Sequence, residues 1–163
     1  MNSYRNITAR DVMITKVITL RPHVDAMDAI KIMLKHKIAG IPVVDNKGHY
    51  LGVFTEKNSL SLLIGIEYES NPTTEISQFV DTNAATIDED TDLLTIVNIF
   101  LKKHYRRLPV LRDSKELVGL VCRRDVLRAF HRGVKKQNAP SESGVLFLSG
   151  LLEREESTVL SKQ

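Results

Sequence analysis

The sequence predicts an α/β (α+β) protein built from two copies of one β-α-β-β-α unit packed about a pseudo-two-fold axis. Three observations lead there. Laying Pro42 on Pro109, a shift of 67 residues, matches without a gap Thr19 with Thr86, Asp25 with Asp92, Lys35 with Lys102, Val43 with Val110, Gly52 with Gly119 and Leu60 with Leu127. Within each copy the apolar period changes from that of a strand to that of a helix and back. Finally, a unit of this size leaves one apolar face open, and the simplest cover for it is the other copy.

The first copy opens with a strand expected over residues 17–20, followed by Arg21-Pro22-His23. Asp25 is a good N-cap, and Asp28 three residues on suits the positive end of the helix dipole. Ala26, Ala29, Ile30, Met33, Leu34 and Ile38 recur at intervals of three and four, leaving Lys31, Lys35 and Lys37 wet. Ile41-Pro42-Val43-Val44-Asp45, the turn Asn46-Lys47-Gly48 and a run over 50–54 read as a β-hairpin, and a second helix is expected over about 56–66. The second copy repeats this order, with a strand over 85–87, cap Asp92, helix 93–104, strands 108–112 and 117–122 around a turn at 113–116, and helix 124–132. The expected organisation is a first copy over 1–66, a linker over 67–75 broken by Asn71-Pro72, a second copy over 76–132, and a polar stretch with a terminal apolar segment and charged tail over 133–163.

Composition narrows the function classes. At 42% hydrophobic and 26% charged the chain is an ordinary folding sequence, which argues against long disorder. Cys122 is the only cysteine, so an intramolecular disulfide and a thiolate metal cluster are both excluded, and a reducing cytoplasm is the expected compartment. No run of 18 apolar residues is present, so no membrane helix is expected. The five histidines show no ligand spacing, and no nucleophile sits in a triad context, so catalysis is not expected.

The repeated blocks are specific. Ala39-Gly40-Ile41-Pro42-Val43-Val44-Asp45 with Gly52-Val53-Phe54-Thr55-Glu56-Lys57-Asn58, and Arg106-Arg107-Leu108-Pro109-Val110 with Gly119-Leu120-Val121-Cys122-Arg123-Arg124-Asp125, resemble the tandem cystathionine β-synthase (CBS) domain pair, or Bateman module. Asp11-Val12-Met13 is similar to the short motif that leads such pairs. The resemblance implies a free-standing pair with two equivalent clefts for adenosine-bearing ligands such as AMP, ADP, ATP or S-adenosylmethionine. It also implies association into a homodimer and a role in energy sensing through an unidentified partner protein. No cofactor is implied beyond that regulatory adenine nucleotide.

Carried over by resemblance, Thr55 and Asn58 in the first copy, and Cys122 and Asp125 in the second, hold phosphate and ribose where a strand ends and a helix begins. Free N–H groups at such an end favour an anion. Asn58 accepts without the charge of Asp, and Cys122 is a weaker donor than Thr or Ser. Arg106, Arg107, Arg123 and Arg124 compensate as phosphate donors; Arg106-Arg107-Leu108-Pro109-Val110 is similar to the His-Arg-Leu-Pro-Val segment of the AMP-activated protein kinase γ subunit. One base slot is expected around Val17, Ile18, Thr19, Ile38, Ala39, Gly40, Ile41 and Pro42, and the other around Ala84, Ala85, Thr86, Tyr105, Leu108 and Pro109. The divergence predicts one principal site built mainly on the second copy. Two alternatives remain open: a dimerising scaffold with empty clefts, suggested by Asn58 and Cys122, and a nucleic-acid binder using Arg123, Arg124, Arg128, Arg132, Lys135 and Lys136. At residue level Thr55 and Asn58 are equally read as a helix cap, the arginines as a solvated surface or partners for the acids at 88–92, and Cys122 as structural or as a reactive thiol.

Overall fold

Asp25 and Asp92, the two expected caps, each begin a helix. The computed structural model describes residues 4, 6–68 and 74–137. Its elements run α1 (Ala9–Val12), α2 (Ala26–His36), β1 (Gly40–Val44), β2 (Tyr50–Thr55), α3 (Glu56–Tyr68), a 3-10 turn (Ile76–Phe79), β3 (Ile87–Asp88), α4 (Leu93–Lys102), β4 (Arg107–Arg112), β5 (Glu116–Cys122) and α5 (Arg123–Gln137). Asp25 accepts from the N–H groups of Met27 and Asp28, and Asp92 from that of Thr95, so both carboxylates satisfy donors a helix start leaves open. The chain divides into two compact units, Met1–Val126 and Leu127–Gln163; everything from α1 to β5 lies in the first, and the described part of the second continues α5. The apolar segment at 145–152 and Asn71-Pro72 lie outside the described residues.

β1 and β2 form an antiparallel hairpin, and β3, β4 and β5 form a sheet in that order. The expected strand at 17–20 is not a strand. Only Leu20 pairs, in parallel with Val43, its N–H donating to Pro42 O and its carbonyl accepting from Val44. The ladder stops because the next donor toward residue 18 would be the nitrogen of Pro42, which carries no hydrogen. Pro109 limits β3 in the same way, leaving two paired residues, Ile87 and Asp88, in place of a strand at 85–87.

The two copies exchange their leading segments. Ile14 pairs antiparallel with Leu120 of β5, and Asp81, which is Ile14 moved by the repeat, pairs with Val53 of β2, the counterpart of Leu120. Thr8 pairs with Asp92, and likewise Glu75 with Asp25. The first N–H of α4, from Leu93, donates to Ile7 O at 2.9 Å, and that of α2, from Ala26, donates to Thr74 O at 2.6 Å. Each main helix is thus finished by the segment that precedes the other copy. His49 pairs with Glu116, its own counterpart under the shift, so the two-fold axis passes between them; Tyr50 N–H to Lys115 O (2.8 Å) and Leu117 N–H to Gly48 O (3.2 Å) flank it.

The exchange explains both motif glycines. A Cβ on Gly52 would lie 2.5 Å from Val80 Cγ1 and 2.6 Å from Asp81 O, and one on Gly119 would lie 2.5 Å from Met13 Sδ and 2.9 Å from Ile14 O. Only a bare α-carbon lets the crossing segment lie against the strand. Beneath it the first copy's core gathers Leu20, Ala26, Ala29, Met33, Ile41, Val43, Phe54 and Leu62, together with Ile76 from beyond the linker. Ala9, the counterpart of Ile76, is also fully buried.

Glu89 joins three elements by charge. It meets Arg10 from α1 at 3.2 Å and Arg112 from β4 at 3.2 Å, while Arg112 also reaches Glu116 at 3.4 Å and Arg10 reaches Asp90 at 3.0 Å. Hydrogen bonds from Arg112 and then Arg10 hold the Glu89 carboxyl below the usual glutamate range. Two outcomes are expected from urea or thermal unfolding. Gly52→Ala destabilises by about 3 kcal/mol through overpacking, whereas Gly65→Ala, with nothing within 4 Å of an added Cβ, stabilises α3 by about 0.5–1 kcal/mol. Because a depressed carboxyl contributes stability above its unfolded value and loses it as pH falls through the folded one, the wild-type chain loses stability below the ordinary value of 4.5, and Glu89→Gln flattens that loss.

Candidate functional site

The second strand of each hairpin runs directly into a helix, and the two junctions are closed differently. Thr55 donates to Asn58 Oδ1 from its N–H at 3.0 Å and from its hydroxyl at 2.6 Å, and Asn58 N–H returns a bond to Thr55 Oγ1 at 3.2 Å. This is a reciprocal capping box, so both side chains serve the start of α3. The next N–H, of Glu56, donates to Ala39 O at 3.0 Å, tying the helix end to the entry of β1. In the second copy Cys122 N–H donates to Asp125 Oδ2 at 2.8 Å, and a thiol is a weaker hydrogen-bonding group than the Thr55 hydroxyl. Asp125 is 6% exposed, and Cys122 is half-buried.

A cleft of about 230 Å³ lies between the copies. The leading segment lines it with Ile14, Lys16, Val17 and Ile18, the end of the α2 turn with Ile38, and β1 with Gly40 and Pro42. The second copy contributes Arg107 and Leu120. Leu120 and Cys122 share one face of β5, two residues apart, so the cleft wall continues toward the Cys122–Asp125 junction. The exchange therefore makes one cleft from both copies, with residues of the first opposite Arg107 and Leu120 of the second.

Of the expected site residues, Val17, Gly40, Pro42 and Arg107 line this cleft together, as do Ile18 and Ile38. Ile41 and Leu108 are fully buried and point with Val43 and Val110 into the core, while Gly40, Pro42, Arg107 and Pro109 take the opposite face of their strands. Thr19 and Thr86 are exposed, and Ala39, Ala85 and Tyr105 are half-buried. Arg106, Arg123 and Arg124 are exposed. Glu89 and Asp90 take Arg10 and Arg112 as ion-pair partners rather than these arginines. Lys16, Ile14 and Leu120 were not among the expected site residues; the repeat placed Ile14 opposite Asp81, but only the exchanged pairing brings it beside Leu120. Among the described residues no group of three or more His, Cys, Asp and Glu side chains is placed to hold a metal ion, and no helix is long and apolar enough to cross a membrane. The cap predicts its own test: Asn58→Ala and Thr55→Ala each cost about 1 kcal/mol of stability, and the double variant costs less than their sum, read by denaturant titration.

The CBS-domain family model matches residues 9–58 and 76–132. An uncharacterized 17.7 kDa protein of Acidianus ambivalens is 26% identical over 115 residues, which are 71% of this chain and 68% of that one. Inosine-5'-monophosphate dehydrogenase of Methanocaldococcus jannaschii is 26% identical over 120 residues, 74% of this chain but 23% of the enzyme. The A-adding tRNA nucleotidyltransferase of Aquifex aeolicus is 29% identical over 133 residues, 82% of this chain but 15% of that protein. Among solved structures, the fold is similar to CBSX2 in complex with AMP, with a TM-score of 0.68 at 23% identity over 77% of this chain and 96% of that one. It is also similar to the CBS domain pair of MJ0100 in complex with 5-methylthioadenosine and S-adenosyl-L-methionine, with a TM-score of 0.64 at 25% identity over 77% of this chain and 97% of that one. With two matched regions, the exchanged leading segments and one cleft shared between the copies, this chain belongs to the CBS-domain family and carries that domain as a tandem pair.

Proposed function

We propose that the chain is a regulatory module that binds an adenosine-containing ligand between its two copies and controls another protein according to occupancy. The observation that carries this is the shared cleft. Its walls are mainly apolar, Gly40 leaves the backbone of β1 approachable, and Lys16 and Arg107 stand exposed at its border. Its volume of about 230 Å³ is slightly below the roughly 300–1,000 Å³ of small-molecule sites. AMP in CBSX2 and S-adenosyl-L-methionine in MJ0100 support an adenosyl ligand here. The carboxylate of Asp125, one turn into α5, is the acceptor proposed for ribose hydroxyls, and Arg106, Arg123 and Arg124 are proposed to assist with phosphate.

Regulation rather than catalysis is the role this cleft suits; the single cysteine supports the cytoplasm as the proposed compartment. A second copy is the proposed structural partner. Leu60, Leu63 and Ile64 form an exposed apolar strip on α3 that supports association. The regulated protein is a further partner of the same proposal.

Calorimetric titration with AMP, ADP, ATP and S-adenosylmethionine tests the function. At least one ligand is expected to bind saturably, and Asp125→Asn, which keeps an acceptor for Cys122 N–H, is expected to weaken it about tenfold. Absence of binding by the whole panel would instead support a scaffold whose clefts stay empty.

A further inference from the structure

The helices that follow the two hairpins are equivalent in the repeat and have diverged in charge. α3 carries Glu56, Lys57 and Glu67, whereas α5 carries four arginines and two lysines against the single acid Asp125. That acid is only 6% exposed and accepts from Cys122 N–H. The exposed positions of α5 are Arg123, Arg124, Leu127, Arg128, His131 and Arg132, adjacent pairs spaced four residues apart, which places them on one face of the helix. Val126 and Gly133, on the other face, are buried. In α3 the 67-residue shift puts Ser61, Ile64 and Gly65 where α5 has Arg128, His131 and Arg132, so the fold itself does not require these cations. α4, the other helix of the second copy, adds Lys102 and no acid. Among the described residues Arg123, Arg124 and Arg132 make no ion pair, since Glu89, Asp90 and Glu116 are taken by Arg10 and Arg112.

We propose that this face of α5 binds a polynucleotide through its phosphate backbone, without reading base sequence. The row Arg124, Arg128 and Arg132 sets a guanidinium about every 6 Å along the helix, and each guanidinium fork can take a phosphate bidentately. A surface of arginines with no exposed acid among them matches a chain of phosphates and displaces the counterions condensed on it. Sequence readout by stacking needs an exposed aromatic ring, and Phe130, the aromatic side chain of α5, is half-buried. Other partners fit this face less well. A bilayer surface requires an apolar helix face to insert, but among the described residues Leu127 is the one large apolar side chain that α5 exposes, and it stands between cations. A second α5 would set Arg124, Arg128 and Arg132 against their own copies, a like-charge contact that the Leu60–Leu63–Ile64 strip on α3 avoids.

Fluorescence-anisotropy titration of the full chain with a labelled single-stranded RNA and a labelled DNA duplex, repeated over a range of salt concentrations, tests this. At least one of the two is expected to bind, equally well when its sequence is scrambled, with a log–log salt slope of about −3 for four neutralised phosphates. Arg128→Gln with Arg132→Gln is expected to weaken binding roughly tenfold at low salt and to bring the slope about 1–2 closer to zero. Arg132→Gln alone, which removes no ion pair, is expected to give about half that change in slope, and thermal unfolding checks that each variant folds. Lys57→Gln, the α3 equivalent of Arg124, is expected to leave binding within about twofold. No binding of either nucleic acid at low salt, or binding whose affinity and slope survive Arg132→Gln and the double variant, would overturn the proposal. Equal retention by polyglutamate or by phosphatidylserine vesicles would overturn it in favour of an acidic protein or a membrane surface. None of these outcomes depends on the adenosyl ligand of the cleft, which calorimetry reads separately.

Discussion

Every part of this fold depends on the antiparallel pairing of each leading segment with the opposite copy. Ile14 lies on β5 and Asp81 lies on β2, and in passing each segment closes the first turn of a helix that is not in its own copy. A helix start has donors that nothing inside the helix can satisfy. Here the N–H groups of Ala26 and Leu93 find acceptors only across the axis, at Thr74 and Ile7. Neither copy can therefore complete its own helix or cover its own strand, and the pair is the unit that folds.

The same crossing makes the cleft. A segment held at residue 14 on the far hairpin must return to residue 20 to reach β1, and the stretch between, with Lys16, Val17 and Ile18, becomes one wall. Pro42 prevents that stretch from being absorbed into the sheet, because it has no N–H to extend the ladder beyond Leu20. A cleft and a limit on the strand thus share one cause. Gly52 and Gly119 serve the crossing, since a side chain there would meet the segment that lies against the strand.

Much of the fold was legible because its signals are local. Asp25 and Asp92 cap where a carboxylate before an apolar period should, and the hairpins fall close to their expected bounds, while α5 runs on to Gln137, past the expected end at 132. The site was legible only in part. Thr55 and Asn58 carry the spacing of a ligand motif and of a capping box alike, and their mutual hydrogen bonds show the second use. Ile41 and Leu108 lie in the motif on the face turned to the core, a placement that strand period contains but that a proline at alternate positions obscures. Lys16 had no motif to announce it.

The sequence by itself determined that there are two copies, where their helices begin, and that Asn58 and Cys122 set them apart, because repeats, caps and substitutions are properties of neighbours along the chain. Only the tertiary structure decided that a cleft draws on both copies, with Lys16 and Arg107 lining it together, and that Asp81 repeats on β2 the pairing Ile14 makes on β5. Those relations arise from backbone bonds between residues far apart in the chain, Ile14 with Leu120 and Asp81 with Val53, whose N–H and carbonyl groups are common to every sequence and so leave no mark in one.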